Sequence, residues 1–365
     1  MTSNAPDRIS SIDVFRGLTM FLLIGEFTGL YSLITHESLD GSFISAIGQQ
    51  LHHHPWNGLR FWDLIQPFFM FIVGLSLPFA VKNRVSKGET SAQILTHVLR
   101  RSAILLLLGW GLYCVGPGQI TFRFQNVLAQ IAVTYLIAYL ILQRSFRFQI
   151  LFTVALLVLT EALYRFFPIE GFNHAFVANE NFGTWLDLLY GGADLGGSWV
   201  SFNAIPTAAH TIWGVLVGKL LMGDMSANKK LKQLLFAGAL LVLAGYLMDP
   251  VSPIIKRIST SSFVIVTGGW TVLAMAVLYW IVDIRRLNGR WTLLFSVVSM
   301  NSLFIYMFAH LDGGKFLEHI MHPFTYVLFD WGGALIAPIL TSLLVWAGLW
   351  GLCYWMYKKR LFIKI

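Results

Sequence analysis

Residues 62–81 read WDLIQPFFMFIVGLSLPFAV, and Asp63 is the one charged side chain among these twenty positions. The apolar residues fall on every side and do not alternate, which excludes a half-buried strand. Twenty residues of α-helix extend about 30 Å, the thickness of the hydrocarbon core of a bilayer. The stretch therefore predicts a membrane-spanning helix with Asp63 near one end.

Similar apolar runs recur along the 365-residue chain, in which 56% of residues are hydrophobic and 12% are charged. Composition thus excludes a soluble globular enzyme, a disordered chain and a small disulfide-rich module. We expect an all-α polytopic membrane protein with about ten transmembrane helices, organised as one domain over residues 1–365. The predicted spans are residues 14–36, 62–81, 99–116, 126–143, 148–167, 202–222, 233–249, 262–283, 291–310 and 334–357.

The 26 Lys and Arg residues divide unequally between the two sides that these spans define. Twenty of them, including Arg8 and Lys364, fall on the side of both termini, and six fall on the other side. The positive-inside rule then places both termini in the cytoplasm. Most of the positive residues are thus predicted to lie on one face of the bilayer, so the net charge of +8 does not indicate a nucleic-acid-binding surface.

Three histidines, His52, His53 and His54, precede the second predicted span on its outer side. Neutral imidazole can remove a proton from an attacking amine or hydroxyl, or it can be acylated itself. Asp63 could orient a histidine, or it could interact only with the positive end of the helix dipole. Consecutive histidines point in different directions and lack the spacing of a ligand set, so we expect no metal there.

Polar side chains within the predicted spans are candidates for function, because they are costly in hydrocarbon. Glu26 is predicted to lie in the middle of the first helix, where it could relay protons in a secondary transporter. Asn301 interrupts the ninth span and His310 lies near its outer end, although an Asn could instead bond to a neighbouring helix. Glu161 precedes Arg165 by four residues, which predicts a local ion pair.

The outer loop 168–201 lacks Lys and Arg and contains Trp185 and Asp187. Aromatic faces beside carboxylates suit a sugar, whose CH face stacks while its hydroxyls form hydrogen bonds. Interfacial anchoring of a solvated loop would explain the same residues. Both interpretations stay open.

Basic residues on the cytoplasmic side offer a second candidate binding surface. Asp13 and Arg16 are spaced to form an ion pair at the start of a helix. Alternatively, Arg16, Arg100 and Arg101 could line the entrance for a phosphate-bearing donor.

Several motifs, in the same order along the chain, resemble segments of the heparan-alpha-glucosaminide N-acetyltransferase family and its bacterial relatives. Residues 11–17 read SIDVFRG and resemble the family opening S-x-D-x-F-R-G. Residues 53–59 read HHPWNGL, followed by DLIQPFF at 63–69, and resemble H-x-x-W-N-G-L and D-L-x-x-P-x-F. Supporting similarities lie at residues 127–135, 300–302 and 362–365.

The resemblance implies a bacterial inner-membrane enzyme that transfers an acetyl group from cytosolic acetyl-CoA to an amino sugar or glycan on the outer side. His53 matches the family's active histidine, three residues before Trp56, and would act as general base or acyl carrier, oriented by Asp63. Acetyl-CoA would be the acyl donor, no metal is expected, and the chain could form a homodimer. The side chains expected to bind the acceptor or the thioester are Trp56, Asn57, Glu26, Asn301, His310, Trp185 and Asp187, and those expected at the donor are Asp13, Arg16, Arg100 and Arg101.

A proton-coupled secondary transporter that uses Glu26 is the alternative function. Many transporters contain two repeated halves with matched broken helices, and the sequence does not show such a repeat.

Overall fold

The structure is a computed structural model that describes residues 9–363. Arg8 and Lys364, which enter the charge count above, lie outside the described residues. The described residues form α-helices joined by loops and by short 3-10 and π-helical turns, with two isolated β-bridges and no strand. The helices are α1 (Ser10–Glu26), α2 (Leu30–Leu33), α3 (Phe43–Gln50), α4 (Ile65–Ser86), α5 (Ser91–Val115), α6 (Val127–Leu140), α7 (Phe146–Arg165), α8 (Phe182–Leu189), α9 (Ala204–Met222), α10 (Ala227–Met248), α11 (Ser261–Leu278), α12 (Arg290–Met300), α13 (Ser302–Phe308), α14 (Gly314–Phe329) and α15 (Ile336–Lys358).

Seven helical segments among the described residues are long and apolar enough to cross a bilayer, and each overlaps a predicted span. The other three predicted spans are shorter or bent. α6 has 14 residues, α1 ends at Glu26 instead of continuing to residue 36, and α12 is bent by 70° from the segment Ser302–Gly332. The prediction of ten long spans is thus reduced to seven, or eight if the bent pair is one span. The seven segments are Phe61–Ser86, Ser91–Val115, Phe146–Arg165, Ser201–Met222, Ala227–Met248, Ser261–Ile284 and Ile336–Lys358.

Side-chain caps set several helix boundaries. Thr90 Oγ1 accepts a hydrogen bond from the Gln93 N–H, and Gln93 Oε1 accepts one from the Thr90 N–H, which is a capping box at the start of α5. Asn126 Oδ1 accepts from the Ala129 N–H at the start of α6. These short polar residues explain why α5 begins at Ser91, eight residues before its predicted span, and why α6 begins at Val127, next to the start of its predicted span.

The described residues fall into two compact units. The first unit comprises the residues up to His53, Arg60–Ile65 and the residues from Leu278 onward; in it α1 packs against α12 and α14 packs against α15. The second unit comprises His54–Leu59 and Gln66–Val277, in which α6 packs against both α5 and α9.

Glycines allow α4 and α9 to approach closely within the second unit. A β-carbon at Gly74 on α4 would collide with the Thr211 carbonyl oxygen on α9, and one at Gly214 on α9 would collide with the Phe71 carbonyl oxygen on α4. Helices in membranes gain stability from such close packing, because hydrocarbon gives no hydrophobic drive for their association. This crossing places α4, which follows Asp63 in the chain, deep within its unit.

Candidate active site

His53 and Asp63 contact each other within the first unit. The His53 Nδ1 atom lies 2.9 Å from Oδ1 of Asp63. The other Asp63 oxygen accepts a hydrogen bond of 2.9 Å from the Arg60 backbone N–H, and Arg60 Nη1 donates to the His53 carbonyl oxygen at 3.2 Å. The Asp63 side chain is 0% exposed, whereas the His53 side chain is 32% exposed. A buried carboxylate thus supports an imidazole ring that is still accessible.

The position of Asp63 follows from a 3-10 turn, Phe61–Leu64, which directly precedes α4. The turn begins with a hydrogen bond from the Asp63 N–H to the Arg60 carbonyl oxygen at 3.0 Å. In the reverse direction, the Asp63 carboxylate accepts a hydrogen bond from the Arg60 N–H. Trp62 is 1% exposed and meets the Tyr31 ring edge-on, with centroids 5.1 Å apart. Because Trp62 is packed inside and the turn is closed by hydrogen bonds, the Asp63 carboxylate has one defined direction.

This contact determines which nitrogen of the neutral His53 ring can react. A carboxylate only accepts hydrogen bonds, so Nδ1 of His53 carries the proton and the lone pair lies on Nε2. A ring in this tautomer can take a proton or attack a carbonyl carbon through Nε2, and the carboxylate stabilises the imidazolium that forms. The pair has the geometry of a base and its orienting group.

The two neighbouring histidines make local structural contacts. The His52 Nδ1 atom lies 2.9 Å from the Gly48 carbonyl oxygen at the end of α3, where it satisfies a helix-terminal acceptor. The ring of His54 lies against Gly58, where a β-carbon would come within 2.6 Å of Nε2 and where φ is +142°. Gly58 is therefore required by both space and backbone conformation.

Trp56 and Asn57 belong to the second unit and are held there differently. Asn57 forms an antiparallel bridge with Ile255, and its side chain is exposed. Trp56 Nε1 donates to the Phe176 carbonyl oxygen at 2.8 Å, and its ring packs against a buried cluster that contains Ile255. The Trp56 indole N–H is thus occupied by a hydrogen bond within the protein, whereas the Asn57 side chain is exposed.

Asp187 is fully buried and accepts hydrogen bonds from Gln125 Nε2 at 2.8 Å and from the Ser201 N–H at 2.9 Å. It also contacts the hydroxyls of Tyr190 and Ser201. Burial, together with this contact, raises the pKa of the Tyr190 phenol, which stays protonated and donates. The Trp185 ring packs against the rings of Phe167 and Phe182, with centroids 4.7 Å and 6.2 Å away. Because the Asp187 carboxylate is fully buried, it cannot make the direct contact with a sugar that the sequence predicts. Its hydrogen bonds indicate instead that it stabilises the loop.

Glu26 does not lie in the middle of a helix, and that prediction is wrong. α1 ends at Glu26, whose side chain is exposed, and Thr28 Oγ1 donates to the Gly25 carbonyl oxygen at 2.7 Å where the helix stops. A proton relay at depth therefore loses its support. The local pair of Glu161 and Arg165 is confirmed, with Nε and Oε2 2.8 Å apart.

Asn301 and His310 lie at two interruptions of the helices that follow α11. Asn301 is fully buried; its Nδ2 donates to the Leu361 carbonyl oxygen and its Oδ1 accepts from the Ile363 N–H, both at 3.0 Å. The amide thus ties the C-terminal segment to the break between α12 and α13. The exposed His310 has Nδ1 3.1 Å from the Tyr306 carbonyl oxygen. A substrate role for either side chain stays a prediction.

The basic residues expected at the donor lie on two helices. Asp13 and Arg16 form the predicted ion pair on α1, with 3.8 Å between Oδ1 and Nη1. On α5, Arg100 is exposed, and the Arg101 guanidinium lies 4.9 Å from the centroid of the Tyr135 ring. An arginine stacked in this way has its planar group oriented in advance.

Arg60 is the residue of this site that the sequence interpretation missed. It is one of the six cations on the outer side and lies three residues before Asp63, a signal that could have identified it. In the described part of the chain, no group of three or more His, Cys, Asp or Glu side chains is arranged to hold a metal ion.

Comparison with known proteins identifies the family. The family model described as "Heparan-alpha-glucosaminide N-acetyltransferase, catalytic" matches residues 8–248, more than half of the chain. The human heparan-alpha-glucosaminide N-acetyltransferase is 28% identical over 143 residues, and the mouse protein is 27% identical over 142 residues. Each alignment covers 37% of this chain but only 19% of the relative. On the strength of the match to residues 8–248, which include the His53–Asp63 pair, this chain belongs to the heparan-alpha-glucosaminide N-acetyltransferase catalytic family.

Proposed function

We propose that the chain is a membrane N-acetyltransferase that moves an acetyl group from cytosolic acetyl-CoA to the amino group of an amino sugar or glycan on the outer side. The 2.9 Å contact between His53 Nδ1 and the buried Asp63 carboxylate carries this proposal. It supplies an oriented base or nucleophile, the one kind of group that acyl transfer from an activated thioester requires.

In the direct route, the amine of the acceptor attacks the thioester carbonyl carbon while His53 Nε2 removes its proton. The C–N bond forms, the C–S bond breaks, and the imidazolium returns the proton to the leaving CoA thiolate. Asp63 stabilises the imidazolium between these steps. Proton transfer of this kind contributes roughly 10²–10⁴-fold to a rate.

In the stepwise route, His53 Nε2 itself attacks the thioester carbonyl carbon, the C–S bond breaks and CoA leaves as its thiolate, which yields an acetyl-imidazolium whose Nδ1 proton stays bonded to Asp63. The thiolate takes up the proton that the acceptor amine loses in the next step. The amine then attacks this acyl group, and the ring recovers its lone pair. The same tautomer serves both routes. Acetylated protein that accumulates without an acceptor would distinguish the second route from the first.

We further propose two separate candidates for binding the phosphates of acetyl-CoA: Arg100 and Arg101 on α5 of the second unit, and Arg16 on α1 of the first unit. The stacking of Arg101 on Tyr135 supports this role, because a pre-oriented guanidinium binds phosphate oxygens with less loss of entropy. Asp13 then orients Arg16 through their ion pair.

The exposed amide of Asn57 is our candidate for a hydrogen bond to the thioester oxygen or to an acceptor hydroxyl. The indole ring of Trp56 offers an apolar surface for the CH face of a sugar. The protein would work in the bilayer of a bacterial inner membrane, as the spanning helices and the charge asymmetry of the chain favour.

The test uses purified full-length protein, radiolabelled acetyl-CoA and a panel of amino sugars. We expect His53→Ala to abolish acetyl transfer, while the matched variant His52→Ala, one residue away and bonded only to Gly48 in the contacts described above, retains it. Transfer that survives in His53→Ala protein would overturn the site, and absence of acetyl-CoA turnover by the wild type with every acceptor would overturn the function.

A further inference from the structure

Two different exposed stripes run along α14. Positions three or four residues apart share one face of a helix, and this spacing separates apolar from polar side chains here. The apolar stripe consists of Phe316, Ile320, Phe324 and Val327, all exposed. The polar stripe consists of Lys315, Glu318, His319 and His322, also exposed.

α14 lies alongside α15 in an antiparallel arrangement. The Thr325 and Thr341 hydroxyls are 2.5 Å apart, and Leu317 lies 3.3 Å from the position that a β-carbon at Gly348 would occupy. The later residue of α14 thus meets the earlier residue of α15. The contact surface with α15 separates the two exposed stripes.

This pairing gives the depth of the polar stripe. Gly348 follows Ile336, the first residue of α15, by twelve positions, which is about 18 Å along a helix whose 23 residues extend about 35 Å. Glu318 follows Leu317 on α14, so it lies at the same depth as the middle of the membrane-spanning helix α15. A charged side chain at such a depth costs several kcal/mol when it faces lipid.

We propose that the polar stripe of α14 lines a water-filled recess that reaches the middle of the α15 span. Lipid would fit the apolar stripe but not this one. A second copy of the chain is also a poor occupant, because the cores of protein interfaces are depleted of Lys and Glu. Lys315 pairs with Asp312 at 2.9 Å while their side chains stay 76% and 69% exposed, as expected of a hydrated pair.

The recess would allow water and small hydrophilic solutes to reach a depth of the bilayer that they cannot enter through hydrocarbon. This inference does not depend on acetyl transfer, since it rests on the exposure and depth of side chains on one helix pair.

The test places single cysteines in full-length protein reconstituted in sealed vesicles, with Cys114 and Cys353 replaced by Ala. Glu318→Cys and His322→Cys probe the polar stripe, and Phe316→Cys and Phe324→Cys are the matched controls on the same helix. A charged, membrane-impermeant methanethiosulfonate attacks only a hydrated thiolate, so we expect the polar-stripe cysteines to react at least about tenfold faster than the controls.

Equal, slow reaction in both stripes would show that lipid surrounds α14 and would overturn the proposal. Unreactive polar-stripe cysteines that cross-link between copies under oxidation would overturn it in favour of a dimer. If a cysteine variant fails to fold, a nitroxide on His319→Cys gives a second measurement, in which the recess requires greater accessibility to a water-soluble nickel chelate than to oxygen.

Discussion

At the scale of single residues, Asp63 is the side chain whose chemistry is most constrained. Its carboxylate is fully buried, and its two oxygens meet two donors, His53 Nδ1 and the Arg60 N–H. A buried charge is tolerated only when hydrogen bonds replace its lost hydration. One of these hydrogen bonds also orients the His53 ring, so the burial of Asp63 and the orientation of His53 have one origin.

Asp63→Asn should lower kcat by roughly 10²–10⁴-fold while the KM for acetyl-CoA changes little. An amide has one oxygen for two donors; if the Arg60 N–H keeps it, the amide NH₂ faces His53 Nδ1 and forces the proton onto Nε2. Steady-state kinetics measure the effect, with the exposed Asp40→Asn as control. A wild-type kcat in Asp63→Asn would contradict the orienting role.

Asp187→Asn should destabilise the protein by about 1–3 kcal/mol through donors left without an acceptor, and leave the KM for the acceptor unchanged. The amide keeps one acceptor oxygen for the donors from Gln125, Tyr190 and Ser201 that the two carboxylate oxygens now share, so some of them lose their acceptor. Thermal unfolding measures the first effect, with the exposed Glu180→Gln in the same loop as control. A raised KM with unchanged thermal stability would restore the direct sugar contact that the sequence predicts.

At the scale of elements, apolar runs locate helices well but do not show where a helix bends. Seven of the predicted spans match long helices, because length and composition alone determine them. The end of α1 was missed, and the interruption predicted at Asn301 was recognised without its bend of 70°, since both depend on contacts distant in sequence. Asn301 breaks its helix while bonding to Leu361, and a β-carbon at Gly314 would collide with the Phe27 carbonyl oxygen just after α1.

In the candidate active site, too, some features are predictable from the sequence and others are not. His53 and Asp63 are recognisable as a motif, because their residue types and spacing are local in the chain. The role of Arg60 is only partly recognisable, because its spacing from Asp63 can be seen in the sequence but the hydrogen bond of its backbone N–H cannot. The burial of Asp187 was equally hidden, since its donors come from residues up to 62 positions away.

Gly214→Ala should destabilise the protein by about 1–3 kcal/mol, because the added methyl group would push α9 away from the Phe71 carbonyl on α4. Gly111→Ala on α5 is the matched control: no described atom beyond its own helix lies within 4 Å of the added carbon. The control should be neutral or up to about 1 kcal/mol more stable, because Ala favours a helix. Thermal unfolding in detergent compares them, and equal midpoints would contradict the close crossing.

At the scale of the whole molecule, the division of 20 against 6 cations in the sequence predicts that the two substrates of the proposed transferase lie in different compartments. In the predicted topology, the arginines proposed to bind the donor lie on the side rich in cations, and the loop that contains His53 lies on the other side. A transferase with this topology has to move an acetyl group between compartments, and a soluble transferase has no such constraint.

This compartment rule can be tested in sealed, everted inner-membrane vesicles, whose outer surface is the cytoplasmic face. We expect labelled acetyl-CoA added outside to acetylate an amino sugar trapped inside, and not the same amino sugar added outside, because neither polar substrate crosses hydrocarbon unaided. Permeabilising the vesicles with detergent should make both arrangements productive, and vesicles with His53→Ala should be inactive in all of them. Product formed from two external substrates in intact vesicles would place the acceptor on the cytoplasmic side and would reverse the topology that the cations predict.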